Sequence, residues 1–142
     1  MGIKFTDDQQ KVIDLRNRNI LVSAAAGSGK TAILTERVAR KICDRNSNIS
    51  ADRLLIVTFT NDAAFELRSR ITKKIDERCK EEPNNQYILE QKMLLQSAKI
   101  CTIDSFCIAL VRSYFSVLGI SPDFTIADNA TAEKKKKKAL ET

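Results

Sequence analysis

Apolar residues along the chain come in two alternating patterns. Short runs at 19–23 (NILVS), 53–59 (RLLIVTF) and 99–103 (KICTI) have the length and composition of buried parallel strands. Between them apolar positions recur at helical spacing. Ile33, Leu34, Val38 and Ile42, with Arg37 among them, predict a helix from Lys30 to about Cys43. Ala64, Leu67, Ile71 and Ile75 predict a charged amphipathic helix from Asn61 to about Cys79. Thr6 followed by Gln9 reads as a capping box opening a short helix to about Leu15, which Asn17 to Asn19 break. The segment 44–52 is a loop, and EEPNNQ (81–86) is the clearest break, followed by a short helix to about Gln96. A helix is expected from Asp104 to about Leu118, opened by Asp104 or Ser105. GISPDF (119–124) turns, Thr125–Ala127 is a candidate extended segment, and a last helix begins near Asn129. Strands alternating with helices imply an α/β fold of right-handed βαβ units, a parallel sheet with helices on both faces. There is no internal repeat.

The first predicted strand runs into the segment from Ala24 to Thr31, AAAGSGKT. Tiny residues let the backbone bring several N–H groups close to one anion, and the helix that follows adds its unsatisfied donors and dipole. Lys30 at the mouth of that helix would reach β and γ phosphates, and the Thr31 hydroxyl would hold Mg²⁺. The pattern G-x-x-x-x-G-K-[ST] fits at Gly29, Lys30 and Thr31 but has Ala24 at its first position. The plainer reading is a glycine-rich turn that binds nothing. In open α/β sheets ligands sit at the carboxyl ends of strands. AAAGSGKT, TFTN (58–61) and TIDSF (102–106) all reach that edge.

Composition narrows the classes. The 142 residues amount to one domain, and 43% are hydrophobic, enough for a core. The formal net charge is +6, yet five of the basic residues are the run Lys134–Lys138; without it, basic residues outnumber acidic ones by one. The charge is therefore one local tract, read more readily as a solvated helix face or chain end than as a DNA contact. With no histidine, imidazole catalysis and histidine metal sites are excluded. Cys43, Cys79, Cys101 and Cys107 fit no zinc spacing and read as small apolar fillers in a reducing compartment. No signal peptide or membrane-length apolar stretch is present, so a cytoplasmic protein is expected.

AAAGSGKT resembles motif I of the UvrD/Rep-like superfamily 1 DNA helicases, in which alanine often takes the first position. FTDDQ (5–9) resembles their upstream glutamine motif, VTFTNDAAFELRSRI (57–71) is similar to motif Ia, and CTIDSFC (101–107) resembles the motif that follows. Four motifs in order span nearly the whole chain, and the pattern is most similar to the AddA-type (RexA) helicase–nuclease branch. The resemblance implies a P-loop NTPase (RecA-like) sheet, here an incomplete first motor domain (1A). It implies ATP and Mg²⁺ as cofactors. Ala24, Ala25, Ala26, Gly27, Ser28, Gly29, Lys30 and Thr31 would hold the triphosphate, and Thr31 the metal, with Lys30 and Thr31 the catalytic pair. Gln9 would read adenine through its donor and acceptor, although on local sequence it simply closes the capping box. Arg37 would pack near the nucleotide, or be a solvated helix arginine. Phe59, Thr60, Asn61, Thr102, Ser105 and Phe106 would face single-stranded DNA, a ring stacking on any base. Alone, Phe59 reads as a buried strand end. Asp104 stands where many members have histidine; it would repel a DNA phosphate and serves better as a cap.

A motor also needs a carboxylate pair after an apolar strand and an arginine from a second lobe. No apolar strand here ends in Asp-Glu. The chain is therefore expected to be the N-terminal part of a longer helicase–nuclease, cut before its Walker B strand and itself inactive as an ATPase. The parent would unwind and process double-strand DNA ends in recombinational repair beside a second, AddB-like subunit. Two alternatives are a P-loop nucleotide kinase, which would leave TFTNDAAFELRSRI without a role, and a non-hydrolysing nucleotide- or nucleic-acid-binding domain.

Overall fold

The computed structural model describes residues 4–140. The elements in order are α1 (Asp7–Asp14), α2 (Lys30–Cys43), 3-10 turns at Arg45–Ser47 and Ala51–Arg53, and β1 (Leu55–Thr58). Then come α3 (Asn61–Glu81), α4 (Gln86–Leu94), a 3-10 turn at Leu95–Ser97, β2 (Lys99–Thr102), α5 (Ile103–Ser113) and α6 (Asn129–Leu140). The chain divides into two units, one ending at Phe106 and the other beginning at Cys107.

In the first unit, β1 and β2 form a parallel pair in register from Leu55 beside Lys99 to Thr58 beside Thr102. One face of this pair is packed by α3, with Ile56 and Ile100 turned inward. The other face stays open, and Leu55 and Val57 are nearly half exposed. Among the described residues, then, the sheet has two strands and is not covered on both sides. The run 19–23 does not form the expected first strand: it has no ladder partner, and Leu21 is 97% exposed. Apolar composition gives a segment the capacity to be a strand, but only a neighbouring strand can satisfy its backbone donors and acceptors.

The core lies between α2, α3, α4 and β2. Ile42, Ile71, Ile75 and Ile88 are fully or almost fully buried there beside Leu67, Leu95 and Ile100. The inward stripe of α3 is the predicted Ala64, Leu67, Ile71 and Ile75. Burying each isoleucine stabilises the fold by about 1.5–3 kcal/mol. Thr60 caps α3 by accepting from Ala63 N at 3.2 Å, and Pro83 follows its C-terminus.

Polar side chains fasten the elements. Arg68 donates to the carbonyls of Leu95 (3.1 Å) and Ala98 (2.8 Å), holding the turn that leads into β2. The buried Gln91 accepts from Ala51 N at 2.8 Å. Glu36 of α2, its side chain only 8% exposed, meets Arg40 at 2.9 Å, Lys74 at 3.0 Å and Arg78 at 3.8 Å, joining α2 to α3.

α5 starts one residue earlier than expected and is capped by neither Asp104 nor Ser105. Thr102 Oγ1 accepts from Ser105 N at 3.1 Å, so the last strand residue is also the cap. In the second unit α5 ends at Ser113 rather than near Leu118. A hydrogen-bonded turn follows, closed by Ile120 N to Phe115 O (3.0 Å) around Gly119 at φ +64°. Residues 125–127 join no strand; the Arg112 guanidinium lies 5.8 Å from the centre of the Phe124 ring, and Asp128 caps α6 through Thr131 N at 2.8 Å.

Candidate nucleotide-binding site

Loop 24–29 turns into α2 through two left-handed glycines, Gly27 at φ +78° and Gly29 at φ +83°. A side chain at either position would be strained. Gly29 is the N-cap of α2, so no side chain caps this helix, and its first turn carries no acid. The contrast with α1 and α3 is direct, since both have a threonine cap and acids in the first turn. The positive end of α2 is thus left for a group from outside the helix.

Lys30 folds back over the loop. Its ammonium donates to the carbonyls of Ala24 (2.7 Å) and Ala25 (2.6 Å). An ammonium has three donors, so one remains. Thr31 is exposed in the first turn, and its carbonyl accepts from the buried Thr35 hydroxyl at 2.7 Å. Ser28 Oγ is buried without a hydrogen-bond partner. An orphaned hydroxyl inside a loop of backbone donors suits an anion.

Gln9 completes the capping box: its backbone N–H donates to Thr6 Oγ1 (3.4 Å), and its Oε1 accepts from Thr6 N (3.0 Å). Its Nε2 simultaneously donates to Ser28 O at 3.2 Å. The glutamine therefore ties α1 to the phosphate loop, and both ends of its amide are engaged. An open groove of about 310 Å³ beside it is lined by Gln9, Val12, Val22, Ala24 and Ser28 among others. Arg37 turns the other way. Its guanidinium donates to the carbonyls of Val12 and Ile13 (the latter at 3.1 Å), closing the C-terminal end of α1. Burial lowers its pKa from the usual arginine value, and the nearby Arg16 adds to this. Lys30, Ile33, Leu34 and Arg37 also line an apolar cleft of about 290 Å³ with Val12, Ile20 and Val22.

A second group gathers where the two strands end. The register puts Thr58 beside Thr102, so Phe59, Thr60 and Asn61 leave the same sheet edge as Ile103 to Phe106. Phe59 is 91% exposed, not a buried strand end. Asn61 and Ser105 are exposed and Phe106 half-buried. Thr60 and Thr102 are occupied as helix caps, and Thr102, 8% exposed, also donates to Ser105 Oγ at 2.8 Å. Phe65, 77% exposed, was not singled out by sequence motif. Its position off the inward stripe of α3 was the available signal.

Residues 5–142 match the family described as UvrD/REP helicase N-terminal domain, and the chain belongs to that family. More particularly, it is similar to proteins named as subunits of an ATP-dependent helicase/nuclease. The relative from Lachnoclostridium phytofermentans is 52% identical over 89% of this chain. Those from Bacillus cytotoxicus and Bacillus cereus strain AH187 are 46% and 44% identical over 99% of it. The chain spans 9–11% of the length of these relatives.

Proposed function

We propose that this chain is the ATP-binding portion of an ATP-dependent DNA helicase–nuclease subunit, built on a P-loop NTPase fold. The observation that carries the reading is the entry to α2: two left-handed glycines, no side-chain cap, no first-turn acid, and Lys30 lying across the loop. The relatives' names support the helicase–nuclease assignment. The TFTN segment, whose Phe59 is presented to solvent, favours it over a nucleotide kinase.

In this reading the N–H groups of residues 24–31 and the orphaned Ser28 hydroxyl bind the phosphates. Lys30 exchanges its loop carbonyls for phosphate oxygens, keeping its charge paired throughout. Gln9 positions the loop through Ser28 and reads adenine when its amide is released. Arg37 holds α1 against α2 and so keeps Gln9 in place. Mg²⁺ would be held by Thr31 and would neutralise phosphate charge. Phe59, Asn61, Ser105 and Phe106 meet single-stranded DNA, with Thr60 and Thr102 shaping the two helix entries. The parent protein would process double-strand DNA ends beside a second, AddB-like subunit in the cytoplasm. Among the described residues no helix is long and apolar enough to cross a membrane.

The test is calorimetric binding of a non-hydrolysable ATP analogue with Mg²⁺ to the wild type and to Lys30→Ala. Among the described residues the Lys30 ammonium hydrogen-bonds to loop carbonyls alone, so the variant should fold and lose at least about tenfold in affinity. Equal binding by both would overturn the reading.

A further inference from the structure

We propose that Arg68 is a positioning residue that sets the spacing between the two segments assigned to single-stranded DNA; the DNA assignment itself rests on the helicase reading. Those segments, Phe59 to Asn61 and Thr102 to Phe106, lie at the ends of β1 and β2. Their relative height is the register of a ladder only four residues long. Packing specifies that register incompletely. β2 alternates, with Ile100 and Thr102 buried, Lys99 exposed and Cys101 half-buried. A slip of one residue would turn Lys99 and Cys101 onto α3, so burial opposes it. A slip of two keeps the alternation, and the uncovered outer face of the pair adds little packing against it. It would carry Thr102 and the start of α5 about 6.6 Å along β1.

Arg68 supplies the missing constraint. It lies about two turns along α3 from Asn61. Its Nη1 donates to Leu95 O at 3.1 Å and its Nη2 to Ala98 O at 2.8 Å. Leu95 and Ala98 are both buried, and Ala98 N donates to Leu95 O at 3.2 Å, so the fork grips a closed turn. The next residue, Lys99, opens the ladder by donating its N–H to Leu54 O at 3.0 Å. At the other end α3 is fixed close to the end of β1 by its Thr60 cap. One guanidinium therefore closes a circuit from the end of β1, through α3, to the start of β2. A two-residue slip would pull Ala98 away from it. A planar fork can hold two carbonyls in one fixed geometry, whereas an ammonium is a point donor on a flexible stem.

The test compares Arg68→Gln and Arg68→Lys with the wild-type 142-residue chain. Nuclear Overhauser contacts between Val57 and Cys101 and between Thr58 and Thr102 report the register without any ligand. Anisotropy of a labelled oligothymidylate reports DNA affinity. Both variants should weaken or multiply those contacts and lose at least about fivefold in DNA affinity, the worth of one stacked base. ATP-analogue affinity, set at a loop that Arg68 does not touch, should change by less than about twofold. The slope of log affinity against log salt should hold, because Arg68 meets no phosphate itself; a lost phosphate contact on a single strand would lower it by about 0.7. An unchanged register in the variants overturns the proposal, as does a slope lowered by that amount in Arg68→Gln. So does an altered register with full DNA affinity, or a chain that loses its fold or both affinities alike with either replacement. Phe59→Ala and Phe106→Ala are measured alongside. If neither weakens DNA binding while the Arg68 variants still shift the register, the DNA reading fails and this role with it, and Arg68 is a clamp on the sheet alone.

Discussion

The amide of Gln9 donates to the carbonyl of Ser28 at 3.2 Å, across 19 residues of sequence, while its own backbone closes the cap of α1. One side chain thereby couples the start of the chain to the middle of the phosphate loop. Loss of a hydrogen bond of this kind costs about 0.5–1.5 kcal/mol. Gln9→Ala should therefore weaken ATP-analogue binding about three- to tenfold and reduce the preference for adenine over guanine nucleotides. Competition binding with both nucleotides checks this; an unaltered preference would leave Gln9 as a cap alone.

Glu36 sets an acid limit on stability. Burial pushes its carboxyl pKa up, but hydrogen bonds and charge from Arg40 and Lys74 outweigh that and hold it below the ordinary 4.5. A lowered folded pKa means stability that is complete above the unfolded value and is lost as pH falls through the folded one. Denaturant midpoints should fall as the solution is acidified below about pH 4.5, and Glu36→Gln should flatten that dependence. A variant as acid-sensitive as the wild type would place the titration elsewhere.

Ile71 lies at the centre of the inward stripe of α3 and is fully buried. Truncation to alanine removes buried methyl groups and leaves a cavity, at a cost of about 2–5 kcal/mol. Urea unfolding should show it directly. Phe65→Ala on the same helix, which removes an exposed ring, should shift the midpoint far less.

The cysteines should separate by reactivity. Burial pushes the Cys43 thiol up to about 11, Arg78 opposing and Cys79 and Glu82 adding to the shift. At pH 8 only about one molecule in a thousand carries its thiolate, the reactive form. Cys107 is exposed. Iodoacetamide should label Cys107 well before Cys43, as read by peptide mass spectrometry; the reverse order would contradict the packing at the end of α2.

Local features were legible in advance. The capping box at Thr6, the span of α2, the inward face of α3 and the breaks at Pro83 and Gly119 depend on neighbours within one or two turns, so residue type and spacing determine them. The glycine-rich loop was readable for the same reason: Gly27 and Gly29 stand where the backbone takes positive φ.

Tertiary structure alone decided the rest. The fastenings from Gln9 to Ser28, Arg37 to α1 and Arg68 to the turn before β2 end on backbone carbonyls, which every residue possesses and no sequence pattern marks. Residues 19–23 carry the composition of a strand, yet their backbone finds no ladder partner, while Thr102 became the cap of α5 because the strand ended where that helix began. Sequence by itself determined which segments coil and which loop can hold an anion, because those energies are local. Which segments pair, and which polar side chains are spent in holding them, depended on contacts that exist only once the chain has folded.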